Sequence, residues 1–504
     1  MTVQFGWSHA LLFAAVALAV RAITFGHPFV GFDEQFYLLV GDRMVREGAV
    51  PFVDIWDRKP VGLFLIYGAI RLLGGQGIWQ YQLVATAVLA GTAWLLARFA
   101  ASYASRAAAT WAGIALILWM NLGSGEGGQA PIFYNPLMLG AGVLVVRAGV
   151  AGRPPLLPGL LAMALVGLAL QIKYTVVFEG VFFGLVLLWC QWRRSPALLP
   201  LAGHALAWVV VALVPTLLVA GWYWEIGAWN QFSFANFQSL AARGQDAPSI
   251  VAGRFLLLWL IVAPLAALAW SVRNERSAVL PFVRVWFIVA SLAVLVFGTW
   301  FDHYALPIIP PALLAAVPAW DRRDLRRWVI GITAVVALLG QFIAARHTAR
   351  RGRDAEAQAL LALTKDSRNC PWFYDGQPAL YLLGDFCLPT RWPFLGHLNQ
   401  ATEANAVGVD TSAEVTRILA GRPDIIVTRE PGFNRENLAS RRLVYQTLGR
   451  DYLLRGRVPT ASRVYAVYRL RPGLAPLPNA WPRWHATRAT PAPSSQPPST
   501  SLGQ

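Results

Sequence analysis

Long apolar stretches recur through the first 345 residues of this 504-residue chain, and they constrain its fold more than any other feature. A helix needs roughly 20 apolar residues to cross the hydrocarbon core of a membrane. Eleven stretches approach that length, at residues 6–26, 79–98, 107–122, 134–150, 155–171, 174–192, 200–222, 250–271, 281–300, 304–320 and 327–345. The run from Leu63 to Leu73 is too short to span and predicts a helix at the membrane interface. The sequence therefore predicts a membrane all-α body with about 11 transmembrane helices.

The composition supports a membrane body and excludes other classes of protein. Hydrophobic residues make up 56% of the chain and charged residues 14%, whereas soluble domains carry about 25% charged residues. A disordered chain is excluded, and an ordinary cytosolic enzyme is disfavoured. The net charge of +17 comes almost entirely from arginine, because only three of the 43 basic residues are lysines. These arginines punctuate apolar runs rather than cluster on a polar surface, so nucleic acid is not an expected partner.

The distribution of the arginines predicts how the chain is oriented. They concentrate in one set of alternate loops, as Arg98, Arg106, Arg147, Arg153, Arg193, Arg194, Arg273, Arg276, Arg284, Arg322, Arg323, Arg326 and Arg327. Cytoplasmic loops carry the excess of Lys and Arg, so residues 27–78 and everything after about 346 are expected outside. No A-x-A-like cleavage site accompanies the first span, which is expected to be an uncleaved anchor with a cytoplasmic N-terminus. The expected location is the plasma (inner) membrane of a bacterium.

The character of the sequence changes after the last apolar stretch. Residues 346–471 mix short strand-like runs, "PDIIVT" and "RVYAVY", with the helix-like "RRLVYQTLG", which predicts a small extracytoplasmic α/β domain. Residues 472–504 are rich in Pro, Ser, Thr and Ala and are expected to form a disordered tail. Cys370 and Cys387 both fall in the outward domain, in an oxidising compartment, so a disulfide between them is predicted. The three cysteines are too few for a disulfide scaffold or a clustered zinc or iron–sulfur site.

The outward stretch between the first two spans, residues 27–78, carries most of the chemical information. It holds six of the chain's 26 acidic residues, namely Asp33, Glu34, Asp42, Glu47, Asp54 and Asp57. Asp33 and Glu34 follow the first span closely, and Lys59 and Pro60 stand where the loop returns to the membrane. Aromatic residues interleave with these charges, so the loop is expected to lie on the membrane surface. The alternative is a solvated loop whose charges simply avoid lipid.

The residue order in this loop resembles a known family. The pattern "DE…Y…G…M…G…P…D…W…KP…G" is similar to the first outer loop of the C-type membrane glycosyltransferases (GT-C), in particular the protein O-mannosyltransferases and the bacterial aminoarabinose transferases. The resemblance implies a GT-C-like body over residues 1–345 that takes a sugar from a polyprenyl monophosphate carrier. It implies that Asp33 is the catalytic base and that Lys59 contacts the carrier phosphate. Some relatives have a basic residue soon after the DE pair; here Gln35 and Phe36 stand there, so that contact is absent or comes from elsewhere.

The chemistry of such a transfer fits these residues independently. Phosphate is a good leaving group whose growing negative charge is stabilised by fixed cations where water is scarce, and Lys59 with Arg58 would supply them. One carboxylate acting on the acceptor hydroxyl can suffice, unlike the two carboxyl groups of glycosidases. Asp33 would be that base and Glu34 would support it or orient the acceptor. A single displacement inverts the anomeric carbon and requires neither a metal nor any cofactor beyond the lipid-linked sugar, expected to be an undecaprenyl-phosphate sugar.

Further candidate residues lie in other outward segments. Lys173, in "LALQIKYTV", is predicted to bind the carrier phosphate, and GT-C relatives often have a lysine in a comparable hairpin; the alternative is a lysine that snorkels from a helix end. His303 and Tyr304 could bind phosphate or sugar, or belong to an interfacial aromatic belt. The loop "GSGEGGQAPIFYNPLM" supplies polar groups, including Gln129, that suit sugar hydroxyls, but it is also compatible with a simple turn. The predicted substrate-lining residues are Tyr37, Asp57, Glu126 and Asn135.

Three alternatives to this enzyme remain at the level of sequence. A transporter or lipid-sugar flippase would place charges at mid-bilayer and show paired broken helices, whereas the charges here concentrate beside the membrane. A scaffold protein would act through its outward domain alone. A ligase or polymerase using a diphosphate-linked donor would lack the DE and KP pairs near the first span. The sugar is open, and the acceptor could be lipid A, another glycan or a protein.

Overall fold

The computed structural model describes residues 5–150, 155–296, 298–432, 435–477 and 481. Most of the predicted disordered tail, residues 478–480 and 482–504, lies outside the described residues. The N-terminal part of the chain is helical. Its helices are α1 (Trp7–Arg21), α2 (Phe32–Glu47), α3 (Val61–Arg71), α4 (Ile78–Ala100), α5 (Arg106–Met120), α6 (Ala130–Val150), α7 (Leu156–Leu170), α8 (Val177–Arg194), α9 (Leu198–Glu225), α10 (Trp229–Ser233), α11 (Pro248–Ser271), α12 (Leu280–Leu295), α13 (Ile309–Ala316) and α14 (Arg326–Arg351).

Each of the eleven predicted spans coincides with one of these helices. Over the part of the chain that the structure describes, seven helical segments are long and apolar enough to cross a membrane, and four further apolar helices are shorter. The chain is therefore a multi-pass membrane protein, and the count of eleven crossings stays a prediction. Helix α9 illustrates the lipid-facing surface, because Leu206, Val209, Leu213 and Leu217 all point outward and are exposed. Such a continuous apolar face is expected on a surface in contact with lipid.

The outer stretch between α1 and α4 forms a close pair of helices, α2 and α3. Gly41 on α2 lies against α3, and a Cβ added there would be 2.6 Å from the backbone nitrogen of Gly68. Arg71, at the end of α3, donates to the Asp42 carboxylate on α2 at 2.9 Å. Helix α2 ends at Gly48, whose left-handed backbone (φ 65°) and amide bond to the Arg43 carbonyl close the last turn. The Leu63–Leu73 run predicted as an interfacial helix is thus part of a helical hairpin, α3.

The C-terminal part is a small α/β unit. Its elements are α15 (Asp354–Thr364), β1 (Trp372–Phe373), α16 (Ala379–Leu383), α17 (Leu395–Asn399), α18 (Thr411–Ala420), β2 (Ile425–Glu430), α19 (Leu438–Asp451), β3 (Tyr452–Pro459) and β4 (Val464–Leu470). The sheet order is β1-β2-β4-β3, with β1 parallel to β2 and the other pairs antiparallel. Both strands and the helix predicted here are present, and β2 and β4 pair directly, Val427 opposite Val467. Cys370 and Cys387 form the predicted disulfide.

The C-terminal unit packs directly on the α2–α3 stretch. Arg43 donates to the Phe386 carbonyl at 2.6 Å, and Gln35 donates to the Gln377 side chain at 2.9 Å. The backbone amide of Trp56 donates to the Arg391 carbonyl at 2.8 Å. The hydrophobic core is continuous across this contact, since side chains of both parts belong to one buried cluster. The loop that carries Lys59 is therefore held between the membrane body and the C-terminal unit.

Candidate active site

A cavity of about 560 Å3, including its open mouth, lies between the helical body and the outer loops. Six residues proposed from the sequence line it, although they come from five separate segments: Tyr37, Lys59, Gln129, Lys173, His303 and Tyr304. Tyr37 belongs to α2, and Lys59 precedes α3. Lys173 lies in the turn between α7 and α8, and His303 and Tyr304 lie between α12 and α13. The fold thus brings together segments that are far apart in the chain.

Asp33 borders this cavity through Gln129, which is one of the lining residues. The Gln129 amide donates to the Asp33 carboxylate at 3.2 Å. Burial acts to raise the pKa of Asp33, but the charges of Lys59 and His303 and the bond from Gln129 outweigh it, so the pKa is below its usual value. Among the described residues, Asp33 is close to cations but forms no ion pair with any of them. Such an ionised carboxylate beside a cavity can accept a proton.

Glu34, the neighbour of Asp33 in sequence, has the opposite electrostatic behaviour. Its side chain is 1% exposed, and burial, followed by the charge of Asp33, raises its pKa to about 8. Its carboxyl group is enclosed by backbone, because a Cβ added at Gly31 or Gly127 would collide with it. Glu34 is therefore protonated at neutral pH, and its carboxyl group accepts a hydrogen bond from Gln129 Nε2 at 3.4 Å.

The two lysines of the cavity carry different pKa shifts. Burial acts to lower the pKa of Lys59, but the carboxylates of Asp33 and Asp57 outweigh it and raise this pKa. Burial, followed by repulsion from Lys59, lowers the pKa of Lys173 to about 7. The ammonium groups lie over aromatic rings, Lys59 at 5.8 Å from the Tyr37 centroid and Lys173 at 5.3 Å from the Tyr304 centroid. The two ammonium groups repel one another, and an anion bound between them would offset that repulsion. The pair therefore forms a candidate anion-binding site.

Part of the cavity lining is apolar. Ala290, Ala293 and Val294 of α12 contribute to it. Glu179 of α8 also lines the cavity, and its carboxylate accepts a hydrogen bond from Trp286 Nε1 at 2.5 Å. Glu179 was not among the residues proposed from the sequence, although an acid inside a predicted span is a signal for function. The cavity lining thus combines cationic and apolar residues.

Four residues proposed from the sequence lie elsewhere. Arg58 forms an ion pair with Glu403 at 2.7 Å, so its guanidinium is taken up by the C-terminal unit. Asp57 is 7% exposed and accepts from the Arg58 amide, which leaves it an electrostatic neighbour of Lys59. The structure does not bring Arg58 or Asp57 to the cavity lining, because the chain turns between them and Lys59.

Glu126 and Asn135 are also buried apart from the lining. Glu126 bonds to His347 at 2.8 Å and lies 3.6 Å from Arg351, both near the end of α14. Asn135 donates to the Leu306 carbonyl at 3.3 Å. These partners lie after α12, far from the "GSGEGGQAPIFYNPLM" loop in sequence. The residue spacing within that loop therefore could not predict these contacts. Of this loop, Gln129, Ala130, Pro131 and Tyr134 line the cavity instead.

No known family model and no curated protein matches the sequence, but solved structures match the fold. ArnT from Cupriavidus metallidurans is similar in its apo state (TM-score 0.58) and bound to undecaprenyl phosphate (TM-score 0.60). Each is 17% identical and covers 91% of this chain and 97% of ArnT. The Archaeoglobus fulgidus oligosaccharyltransferase in its apo form is 10% identical, with a TM-score of 0.50 over 84% of this chain and 70% of its own. The resemblance to C-type membrane glycosyltransferases that the outer loop implies is thereby confirmed at the level of the fold.

Proposed function

We propose that this protein is an integral membrane glycosyltransferase that moves a sugar from a polyprenyl-phosphate carrier to an acceptor outside the cytoplasm. The acceptor would be lipid A, another glycan or a protein. The chain would lie in the plasma membrane of a bacterium with its N-terminus in the cytoplasm. The cavity and the C-terminal unit would then face outward, as the arginine distribution predicts.

One observation carries this proposal: two of the chain's three lysines line one cavity beside an ionised Asp33, together with apolar residues. A lipid phosphate needs cations for its head and apolar surface for its chain, and the cavity offers both. The fold of ArnT, which has been solved with undecaprenyl phosphate bound, supports a polyprenyl lipid as the partner.

The proposed reaction is a single displacement. A hydroxyl of the acceptor attacks the anomeric carbon, and Asp33 takes the hydroxyl proton. The bond from the anomeric carbon to the phosphate oxygen breaks, and the phosphate leaves with the electron pair. Lys59 and Lys173, with His303 and Tyr304 nearby, would stabilise this charge, so the leaving group needs neither a proton donor nor a metal. The anomeric configuration would be inverted.

The experiment is transfer of labelled sugar from polyprenyl-phosphate donors by membranes that contain the protein. Asp33→Asn should lower the rate by about 100-fold or more, because the general base is lost. Glu34→Gln is the matched control: an amide replaces a carboxyl group that is already neutral, so it should retain far more activity than Asp33→Asn. Transfer undiminished in Asp33→Asn would refute the base assignment. Movement of the lipid across the bilayer without sugar transfer, insensitive to Asp33→Asn, would support a flippase instead.

A further inference from the structure

A second concave feature, an open groove of about 980 Å3 including its mouth, lies on the C-terminal unit and is not used by the proposed reaction. One wall is the segment that leads into α18, and the start of α19 closes one end. The opposite wall comes from the membrane body, from the helical turn that follows α10. Its polar and aromatic lining residues are Phe234, Asn405, Asp410, Thr411, Ser412 and Asn437.

Several polar groups of this groove have no partner within the described residues. Within the described residues, the exposed amide of Asn405 and the hydroxyl of Ser412 make no side-chain hydrogen bond. Asp410 uses one carboxylate oxygen, Oδ1, to accept from the backbone amides of Ser412 and Ala413 at the start of α18, and its other oxygen stays open. Asn437, in contrast, is fully engaged by Thr411 and by the start of α19. The groove therefore presents both donors and acceptors to a ligand.

The character of the lining favours a sugar over an anion. Among the residues that the structure describes, no lysine or arginine lines the groove, and Asp410 would repel a phosphate. The ring of Phe234 forms an apolar surface against Gly408, where a Cβ would lie 2.9 Å from the ring and the backbone has a positive φ of 76°. Amide, hydroxyl and carboxylate groups beside an aromatic ring match the hydroxyl groups and C–H faces of a sugar.

The two chain segments that form the walls of the groove also contact the neighbours of the two cavity lysines, through residues that do not themselves line the groove. Arg58, which precedes Lys59, donates to the Ala406 carbonyl at 3.3 Å. On the other wall Asn236 accepts from the Tyr174 hydroxyl at 2.9 Å, and Tyr174 follows Lys173. A chain bound along the groove would thus lie beside the segments that supply both cationic groups of the cavity.

We propose that this groove binds the glycan portion of the acceptor, so that the acceptor is a glycan or glycolipid. The assignment of the bound sugar as acceptor rests on the proposed function, whereas the binding of a glycan does not. A peptide acceptor is the competing outcome of the test.

The test is binding of the full-length protein in lipid nanodiscs to an array that displays neutral oligosaccharides, amino-sugar oligosaccharides and peptides. Asn405→Trp fills the groove from an exposed position. Ala413→Trp is the matched control, because Ala413 is exposed on α18 but does not line the groove. We expect the wild type to retain a set of oligosaccharides and Asn405→Trp to bind them with an affinity that is at least about tenfold lower. Ala413→Trp and Lys59→Ala should bind them as the wild type does. Unchanged melting temperatures would exclude misfolding.

Three results would overturn the inference: no oligosaccharide retained by the wild type, equal retention by Asn405→Trp, or retention of peptides alone. The transfer assay supplies an independent measurement. There Asn405→Trp should raise KM for a glycan acceptor about tenfold and leave KM for the polyprenyl-phosphate donor unchanged. If no sugar is transferred by any variant while array binding still depends on Asn405, the groove stands as a glycan site and the proposed reaction fails.

Discussion

At the scale of single residues, two adjacent acids acquire different protonation states from their surroundings. Asp33 is close to Lys59, His303 and Gln129, which keep it ionised, whereas Glu34 is enclosed by backbone next to that charge and is protonated at neutral pH. The "DE" pair in the sequence does not show which of the two acids is ionised and which is protonated. Assignment of the base to the first acid came from the family resemblance, and the structure adds a physical reason for it.

The dependence of Asp33 on Lys59 predicts a change in the pH profile. The wild-type pKa of Asp33 is below its usual value, because Lys59 and its neighbours outweigh burial. Lys59→Gln removes the strongest of the charges that lower it, so the pKa of Asp33 rises and the acid limb of kcat/KM should move to higher pH. The profile of the transfer reaction measures this shift even if the absolute rate falls. Lys365→Gln, at the third lysine, should leave the limb in place, and an unmoved limb in Lys59→Gln would contradict the coupling.

At the scale of elements, the apolar helices could be predicted from the sequence and α2 could not. Hydropathy is a local property, so each predicted span from 6–26 to 327–345 falls on a helix. Helix α2 contains the charged residues Asp42 and Arg43. They lower the local hydropathy, so a hydropathy pattern does not detect the apolar face of this helix. They are tolerated because Arg71 and the C-terminal unit supply their partners.

The contact between α2 and α3 predicts that alanine will be destabilising at one glycine and tolerated at the facing one. Gly41→Ala places a methyl group 2.6 Å from the backbone of α3, which cannot yield as a flexible side chain would. We expect a loss of about 1–3 kcal/mol of stability and displacement of Tyr37, which α2 presents to the cavity. Gly68→Ala, on the facing helix, has its nearest atom at 3.6 Å and should be tolerated. Melting temperature in detergent compares the two, and equal values would show that the helices separate easily.

At the scale of the whole molecule, the sequence predicted the parts of the site better than their assembly. Asp33, Lys59 and Lys173 are recognisable by family pattern and by residue type, and three other segments could be predicted to face outward. Which of them meet at the cavity depends on contacts between distant parts of the chain. Arg58 and Glu126 show this, because Glu403 and His347, their partners, lie more than two hundred residues away.

One such contact joins three parts of the molecule. Glu403 of the C-terminal unit accepts from Arg58 of the outer loop at 2.7 Å and from Arg243, between α10 and α11, at 2.8 Å. Its side chain is 5% exposed, so removing it leaves two poorly solvated guanidinium groups without a carboxylate. Breaking a buried ion pair in this way costs about 3–5 kcal/mol.

Glu403→Gln should therefore lower the melting temperature and also the transfer rate, since Arg58 fixes the backbone next to Lys59. Burial acts to raise the pKa of Glu403, but Arg58 and Arg243 outweigh it and lower the pKa. The stabilisation is consequently complete at neutral pH and is lost as pH falls through the lowered pKa, so the wild type and Glu403→Gln should converge in strong acid. Asp324→Asn breaks an exposed pair of equal length, Arg322 with Asp324 at 2.7 Å, and should change neither measurement. A melting temperature of Glu403→Gln equal to that of the wild type at pH 7 would mean that the C-terminal unit is held to the membrane body by its apolar core and not by this pair.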